Sequence, residues 1–94
     1  SKNINFWADE KSGKEIDFIV KKKNGYLLIN VSYTDELPER EFQSFSLFLK
    51  SAKMKNYECI VVSRGKYSTQ FHDNITIKTV PLWLFLLTLN KEDF

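Results

Sequence analysis

The sequence predicts an α/β fold in which helices flank a mixed sheet of about five strands. Two strand-like segments joined by the pair Asn24-Gly25 predict a hairpin, because this pair favours tight turns between strands. A stripe of aromatic residues at helical spacing then leads to another apolar strand, and a strand–helix–strand order is typical of a parallel crossover. The chain has 94 residues, so we expect one domain over residues 1–94.

Three strands are predicted in the first third of the chain, at residues 4–8, 14–22 and 26–33. The turn between the first two contains Gly13, which can adopt a positive φ. The third strand is apolar on both faces except at Asn30 and Ser32, as in a central strand that is covered on both sides. The sequence leaves open whether these strands pair as a meander or with the hairpin reversed.

Alternation along the second strand separates two sets of side chains, because successive residues of a strand point to opposite faces. One face is expected to carry Glu15, Asp17 and Ile19. The other face is expected to carry Ile16, Phe18 and Val20. The pattern therefore places an aspartate in the middle of an apolar strand, beside a strand with two polar residues two positions apart.

The rest of the chain predicts two helices and two further strands. The first helix begins at Pro38, where a missing N–H costs nothing. Its apolar stripe at helical spacing is Phe42, Phe45, Phe48, Leu49 and Ala52. Residues 57–63 predict a buried strand, residues 64–74 a polar loop and residues 75–80 an edge strand. The last helix, residues 82–89, is apolar nearly all round.

Composition and charge narrow the classes of function. With 43% apolar and 15% aromatic residues the chain is expected to fold, and a net charge of +2 does not indicate nucleic acid binding. Cys59 lies in an apolar run and is expected to be a buried thiol. The longest apolar run, residues 82–87, is far short of the roughly 20 residues that span a membrane. No signal peptide is visible, so a cytoplasmic protein without a membrane partner is expected.

Two smaller features have ordinary interpretations. His72, the one histidine, lies in a polar segment beside Asp73 and is expected to be a solvated loop residue. The three lysines at residues 21–23 could contact phosphate, but a charged hairpin rim is the ordinary explanation, and no interleaved aromatic residues support nucleic acid contact.

A resemblance to a known family rests on three segments, residues 15–20, 29–33 and 80–84. Together they resemble the C-terminal domain of prokaryotic AAA-type ATPases of unknown function, a domain that is similar to PD-(D/E)XK nucleases. The resemblance covers about residues 4–87 and implies a restriction-endonuclease-like core. It implies that ATP and magnesium belong to a parent ATPase, with no cofactor in this chain, and that the upstream ATPase domain is a partner. Because the chain begins at Ser1 without an initiator methionine, we expect a C-terminal fragment of that longer protein.

In the nuclease pattern an aspartate and a glutamate bind a divalent metal, and a lysine assists the attacking water. Carried over by resemblance, Asp17 is kept, Asn30 stands in place of the glutamate and Ser32 in place of the lysine. Glu15 adds a carboxylate near Asp17. Mg²⁺ prefers charged oxygen ligands, so the resemblance implies a degenerate site without catalytic or metal-binding residues. Asp17 and Asn30 are expected on adjacent or next-adjacent strands, with their side chains on one face.

Three functions are open at this point. The favoured one is a non-catalytic, nuclease-like accessory domain that serves protein contacts or assembly, including self-association. Exposed apolar residues of the last helix would make the contact: Leu82, Trp83, Phe85 and Leu86. The second is a nucleic-acid-binding module with a degenerate nuclease site. The third is an active metal-dependent nuclease that uses Glu15 and Asp17.

Overall fold

The computed structural model describes residues 4–33 and 39–89, with the backbone alone for Thr88 and Leu89. These residues form a six-stranded mixed sheet flanked by two helices, so the predicted α/β class is confirmed, with one strand more than expected. The elements in chain order are β1 (Ile4–Asp9), β2 (Lys14–Lys22), β3 (Gly25–Val31), α1 (Glu39–Ala52), β4 (Tyr57–Ser63), β5 (Ser68–His72), β6 (Ile75–Pro81) and α2 (Leu82–Leu89).

The strand order in the sheet is β1-β2-β3-β4-β6-β5. The first three strands pair antiparallel as a meander, which resolves the alternative that the sequence left open. The segment containing α1 then connects β3 to β4, which is parallel to it, and β6 is parallel to β4. The β2–β3 turn depends on Gly25, whose φ is +153°, and a Cβ at this position would collide with the main-chain oxygen of Asn56.

The segment predicted as a polar loop, residues 64–74, contains β5, and this prediction was wrong. Strand β5 pairs antiparallel with β6 across a tight turn at Asp73 and Asn74, which have φ values of 50° and 64°. Asp and Asn tolerate positive φ, and a two-residue hairpin turn of this kind needs it at both positions. Strand β6 is consequently not an edge strand, and its Ile75 and Ile77 are buried.

One face of the sheet packs against α1. The core on this side is a cluster of eight buried residues: Ile16, Leu28, Phe45, Phe48, Cys59, Val61, Ile75 and Ile77. Phe45 is fully buried, and Phe48 meets Trp7 of β1 edge-on at 5.4 Å between ring centroids. The predicted aromatic stripe is therefore confirmed as core, although Ala52 at its end is exposed. Pro38, the predicted helix start, lies outside the described residues.

The opposite face has a smaller core of Val20, Leu27, Ile29 and Val62. Phe85 of α2 packs against this cluster, so the short C-terminal helix covers part of this face. Phe18 of β2 is about half exposed on this face. Ile4 of β1 pairs with Val20 of β2 and is also about half exposed. Neither described helix has the length and hydropathy to cross a membrane.

Candidate functional site

Strand β2 contains one extra residue between Ile16 and Ile19. Asn5 pairs with Ile19 and Trp7 pairs with Ile16, so a step of two residues along β1 faces a step of three along β2. Ile16 and Ile19 consequently pack against the same core cluster beneath α1. The prediction that Ile16 shares a face with Phe18 and Val20 was wrong, because a β-bulge interrupts the alternation of a strand. The bulge includes Asp17, the central residue of the predicted site.

Asp17 and Asn30 lie on adjacent strands, as predicted, and their side chains connect these strands. The Asp17 N–H donates to Asn30 Oδ1 at 2.7 Å, and Asn30 Nδ2 donates to the Glu15 carbonyl oxygen at 3.1 Å. In return, the Val31 N–H donates to Asp17 Oδ2 at 2.8 Å. The pairing of Phe18 with Ile29 is the last between β2 and β3 at this end. Beyond it, side chains supply the hydrogen bonds that the backbone ladder would otherwise make.

This arrangement follows from the bulge and from the chemistry of an amide. A bulge leaves main-chain groups without their usual cross-strand partners, and a buried unpaired N–H or C=O is costly. Asn30 offers one acceptor and one donor on a single short side chain, and it is 2% exposed. Its amide therefore closes the gap between β2 and β3, a role that the sequence did not reveal.

Glu15 and Ser32, the other two residues of the predicted site, have different surroundings. The Glu15 side chain is exposed, and it lines a pocket of about 410 Å³ together with Asp17, Phe18, Val31 and Tyr33. Ser32 is 8% exposed, and its N–H donates to the Val62 carbonyl oxygen of β4 at 2.8 Å. The structure therefore brings Glu15 and Asp17 to one pocket and ties the main chain of Ser32 to β4.

A third carboxylate near the site, Glu41 of α1, was missed by the sequence interpretation. Burial raises the pKa of the Glu41 carboxyl, and the negative charge of Asp17 raises it further, with a smaller contribution from Glu15. The positive charge of Arg40 opposes these effects. The only signal in the sequence was the position of Glu41 in the first turn of α1, where an acidic residue also suits the helix dipole.

These residues do not fit a magnesium site of the nuclease type. Within residues 4–33 and 39–89 no three His, Cys, Asp or Glu side chains are placed to hold a metal ion together. The oxygen that Asn30 could offer already accepts the Asp17 N–H. Since Mg²⁺ favours charged oxygen ligands in octahedral geometry, a neutral amide engaged in the sheet is a poor ligand.

Two other candidate side chains have structural surroundings. Cys59 is buried as predicted, and burial raises the pKa of its thiol to about 12. His72 belongs to β5 and not to a loop, and its ring stacks on Phe42 at 5.1 Å between centroids. Its Nε2 lies 3.6 Å from Asp73 Oδ2. The ring of His72 therefore extends the aromatic packing at the surface of α1.

The C-terminal helix presents a large apolar surface. Four residues, which we call the α2 surface, are each more than half exposed: Leu82, Trp83, Leu86 and Leu87. Three of these belong to the predicted contact set. The fourth predicted residue, Phe85, instead packs inward against the sheet. Leu87 belongs to the apolar helix that the sequence predicts but not to the predicted contact set. A helix that is apolar nearly all round has to present some apolar residues to solvent when only one side packs against the sheet.

Comparison with known proteins assigns the chain to a family but not to an activity. A family model described as a domain of unknown function, DUF4143, matches residues 1–85. No curated protein matches the chain closely enough to show a relationship.

Proposed function

This chain belongs to the DUF4143 family, and since that family's description assigns no activity, we propose a function from the site itself. In this proposal the chain is a non-catalytic, nuclease-like accessory domain that mediates protein assembly through the α2 surface. The nuclease-like part rests on the resemblance of residues 15–20, 29–33 and 80–84. The mixed sheet that surrounds Asp17 and Asn30 is compatible with it.

The hydrogen bonds of Asn30 support the non-catalytic part. Its amide joins two strands at the position where the nuclease pattern requires a metal-binding carboxylate. Metal-assisted cleavage of a phosphodiester uses the ion to generate and hold the nucleophile. Neither Asn30 nor Ser32 carries a charge for that chemistry, and burial together with the negative charge of Asp17 raises the pKa of Glu41, which disfavours the charged form of that carboxyl. The site is better suited to holding the sheet than to catalysis.

The exposure of the α2 surface is the observation that carries the assembly proposal. Trp83 is 65% exposed, and Thr88 is the only polar residue among residues 82–89. Exposed apolar patches of this kind mark interaction sites on soluble proteins. A second copy of the chain is a suitable partner, because a two-fold axis brings the same apolar patch of two subunits together.

The resemblance also provides the wider setting of the proposal. The domain would act beside an upstream ATPase domain in the cytoplasm, and ATP and magnesium would be bound by that ATPase. Assembly through the α2 surface would then bring neighbouring ATPase domains together. Nucleic acid binding is the second reading of the sequence, but no feature of the Asp17–Asn30 region favours it over assembly.

Light scattering on the purified chain tests the proposal. We expect a mass of twice the monomer at tens of micromolar. The double variant Trp83→Gln and Leu86→Gln should be monomeric at the same concentration, because it replaces two of the four exposed apolar side chains of the α2 surface with polar ones. As a matched control, Phe71→Gln with Tyr67→Gln also removes two exposed aromatic residues, from β5 and the segment before it, and should remain dimeric.

Two results would contradict the assembly proposal. One is a wild-type chain that stays monomeric up to hundreds of micromolar. The other is dissociation by the control variant to the same extent as by the α2 variant, because association would then not depend on α2. Circular dichroism of each variant establishes first that the fold is retained.

A further inference from the structure

We propose that a pocket at the start of β3, the end of the strand away from Asn30, binds a small ligand that carries two or more phosphate groups. This hairpin pocket lies between the β2–β3 turn and the segment that enters β4, and it has a volume of about 600 Å³. Its polar lining includes Lys22, Lys23, Asn24, Lys55 and Asn56. Pockets of 300–1,000 Å³ are typical of small-molecule sites.

The hairpin pocket is separate from the Asp17–Asn30 region. It includes Tyr26 near the start of β3, whereas Asn30 lies near the end of that strand. A strand rises about 3.3 Å per residue, so the two places are about 13 Å apart along β3. A ligand in the hairpin pocket would therefore not touch the hydrogen bonds between Asp17 and Asn30.

The backbone holds two sides of this pocket together. The Tyr26 N–H donates to the Asn56 carbonyl oxygen at 2.9 Å, which joins the start of β3 to the segment before β4. Gly25 allows this approach, because any side chain there would collide with Asn56. Tyr26 also pairs with Tyr57 in the parallel register of β3 and β4. The turn that carries Lys23 and the segment that carries Lys55 are thus fixed relative to each other.

The charge of the pocket indicates an anionic ligand. Three lysines and one acidic residue, Glu58, line it, which gives a net charge of +2, the same as that of the entire chain. The remainder of the chain is therefore neutral overall. Lysine ammonium groups bind phosphate as point charges, and the amides of Asn24 and Asn56 can donate further hydrogen bonds.

The distribution of charge favours a compact ligand over a nucleic acid. Proteins that follow a nucleic acid backbone place cations along an extended stripe and contact many phosphates. Here three lysines line one compact pocket. Lys23 and Lys55 are exposed and come from two different segments, so a ligand with two or three linked phosphates offers a separate anionic group to each, whereas a single phosphate offers only one.

Calorimetric titration of the chain with inorganic tripolyphosphate at low ionic strength tests this proposal. We expect saturable binding that is about tenfold or more weaker in the double variant Lys23→Gln and Lys55→Gln, because two charged contacts are lost. The matched control is Lys66→Gln with Lys78→Gln. This control removes the same number of positive charges, from two exposed lysines that do not line the pocket. It should bind tripolyphosphate as tightly as the wild type does.

Four results would overturn the proposal. They are the absence of saturable binding to the wild type, an equal loss in both double variants, equally tight binding of orthophosphate, and tighter binding of a single-stranded oligonucleotide through Lys23 and Lys55. The third result would show a simple anion site, and the fourth a nucleic acid site. Because these variants leave the α2 surface unchanged, the outcome is independent of the assembly proposal.

Discussion

Replacing Asn30 by alanine is expected to destabilise the fold strongly. The change removes Oδ1 and Nδ2, which leaves the Asp17 N–H and the Glu15 carbonyl without these partners. An unpaired buried polar group costs about 1–3 kcal/mol. Asp17 is half-buried and Glu15 is exposed, so water can partly replace the amide at these positions. We therefore expect a loss of about 2–4 kcal/mol in the free energy of unfolding, including the small cavity that is left.

Urea unfolding followed by circular dichroism measures this loss. A chain of this length has a stability of about 5–14 kcal/mol, so the variant should still be folded in water. The matched control is Asn5→Ala, which makes the same substitution at an exposed asparagine of β1. It should change the stability by less than about 0.5 kcal/mol, as surface substitutions usually do.

Equal effects of Asn30→Ala and Asn5→Ala on the free energy of unfolding would contradict a structural role for the Asn30 amide. That result would mean that the two hydrogen bonds of Asn30 contribute nothing net to the fold. The residue would then be better explained as an unused position of a former metal site than as a connection between β2 and β3.

Two further predictions concern titratable groups. Folding raises the pKa of Glu41 above its ordinary value of 4.5, so the folded state holds this proton more tightly and stability falls as the pH rises above that value. Glu41→Gln should therefore be more stable than the wild type at pH 7, and urea unfolding at several pH values should show the gain shrinking as the pH falls towards 4.5. A gain that is independent of pH would contradict this. Cys59, with a pKa of about 12, should not react with a thiol reagent at pH 8 until urea unfolds the chain, and fast reaction in the native state would show an accessible thiolate.

The sequence predicted the parts of the fold that depend on local patterns. The spacing of Phe42, Phe45 and Phe48 identified α1 and its buried side, and Asn24-Gly25 identified the β2–β3 turn. Strand β5 was missed because the Asp73-Asn74 turn was read as part of a loop, although both residue types accept positive φ.

The candidate site was predicted less well, because it depends on how strands pair. Asp17 and Asn30 were identified as neighbours, but the bulge in β2 appears only in the register with β1. The role of the Asn30 amide follows from that bulge. Glu41 comes near Asp17 through the packing of α1 on the sheet, which no spacing within one segment could indicate.

Titration of the chain with Mn²⁺, combined with a cleavage assay on DNA and RNA, tests the non-catalytic account most directly. The comparison is with Asp17→Asn, which keeps an oxygen to accept the Val31 N–H but removes the carboxylate charge. For a non-catalytic site we expect no saturable heat of Mn²⁺ binding that depends on Asp17, and no cleavage by either protein. Saturable Mn²⁺ binding that disappears in Asp17→Asn, together with cleavage by the wild type alone, would contradict it.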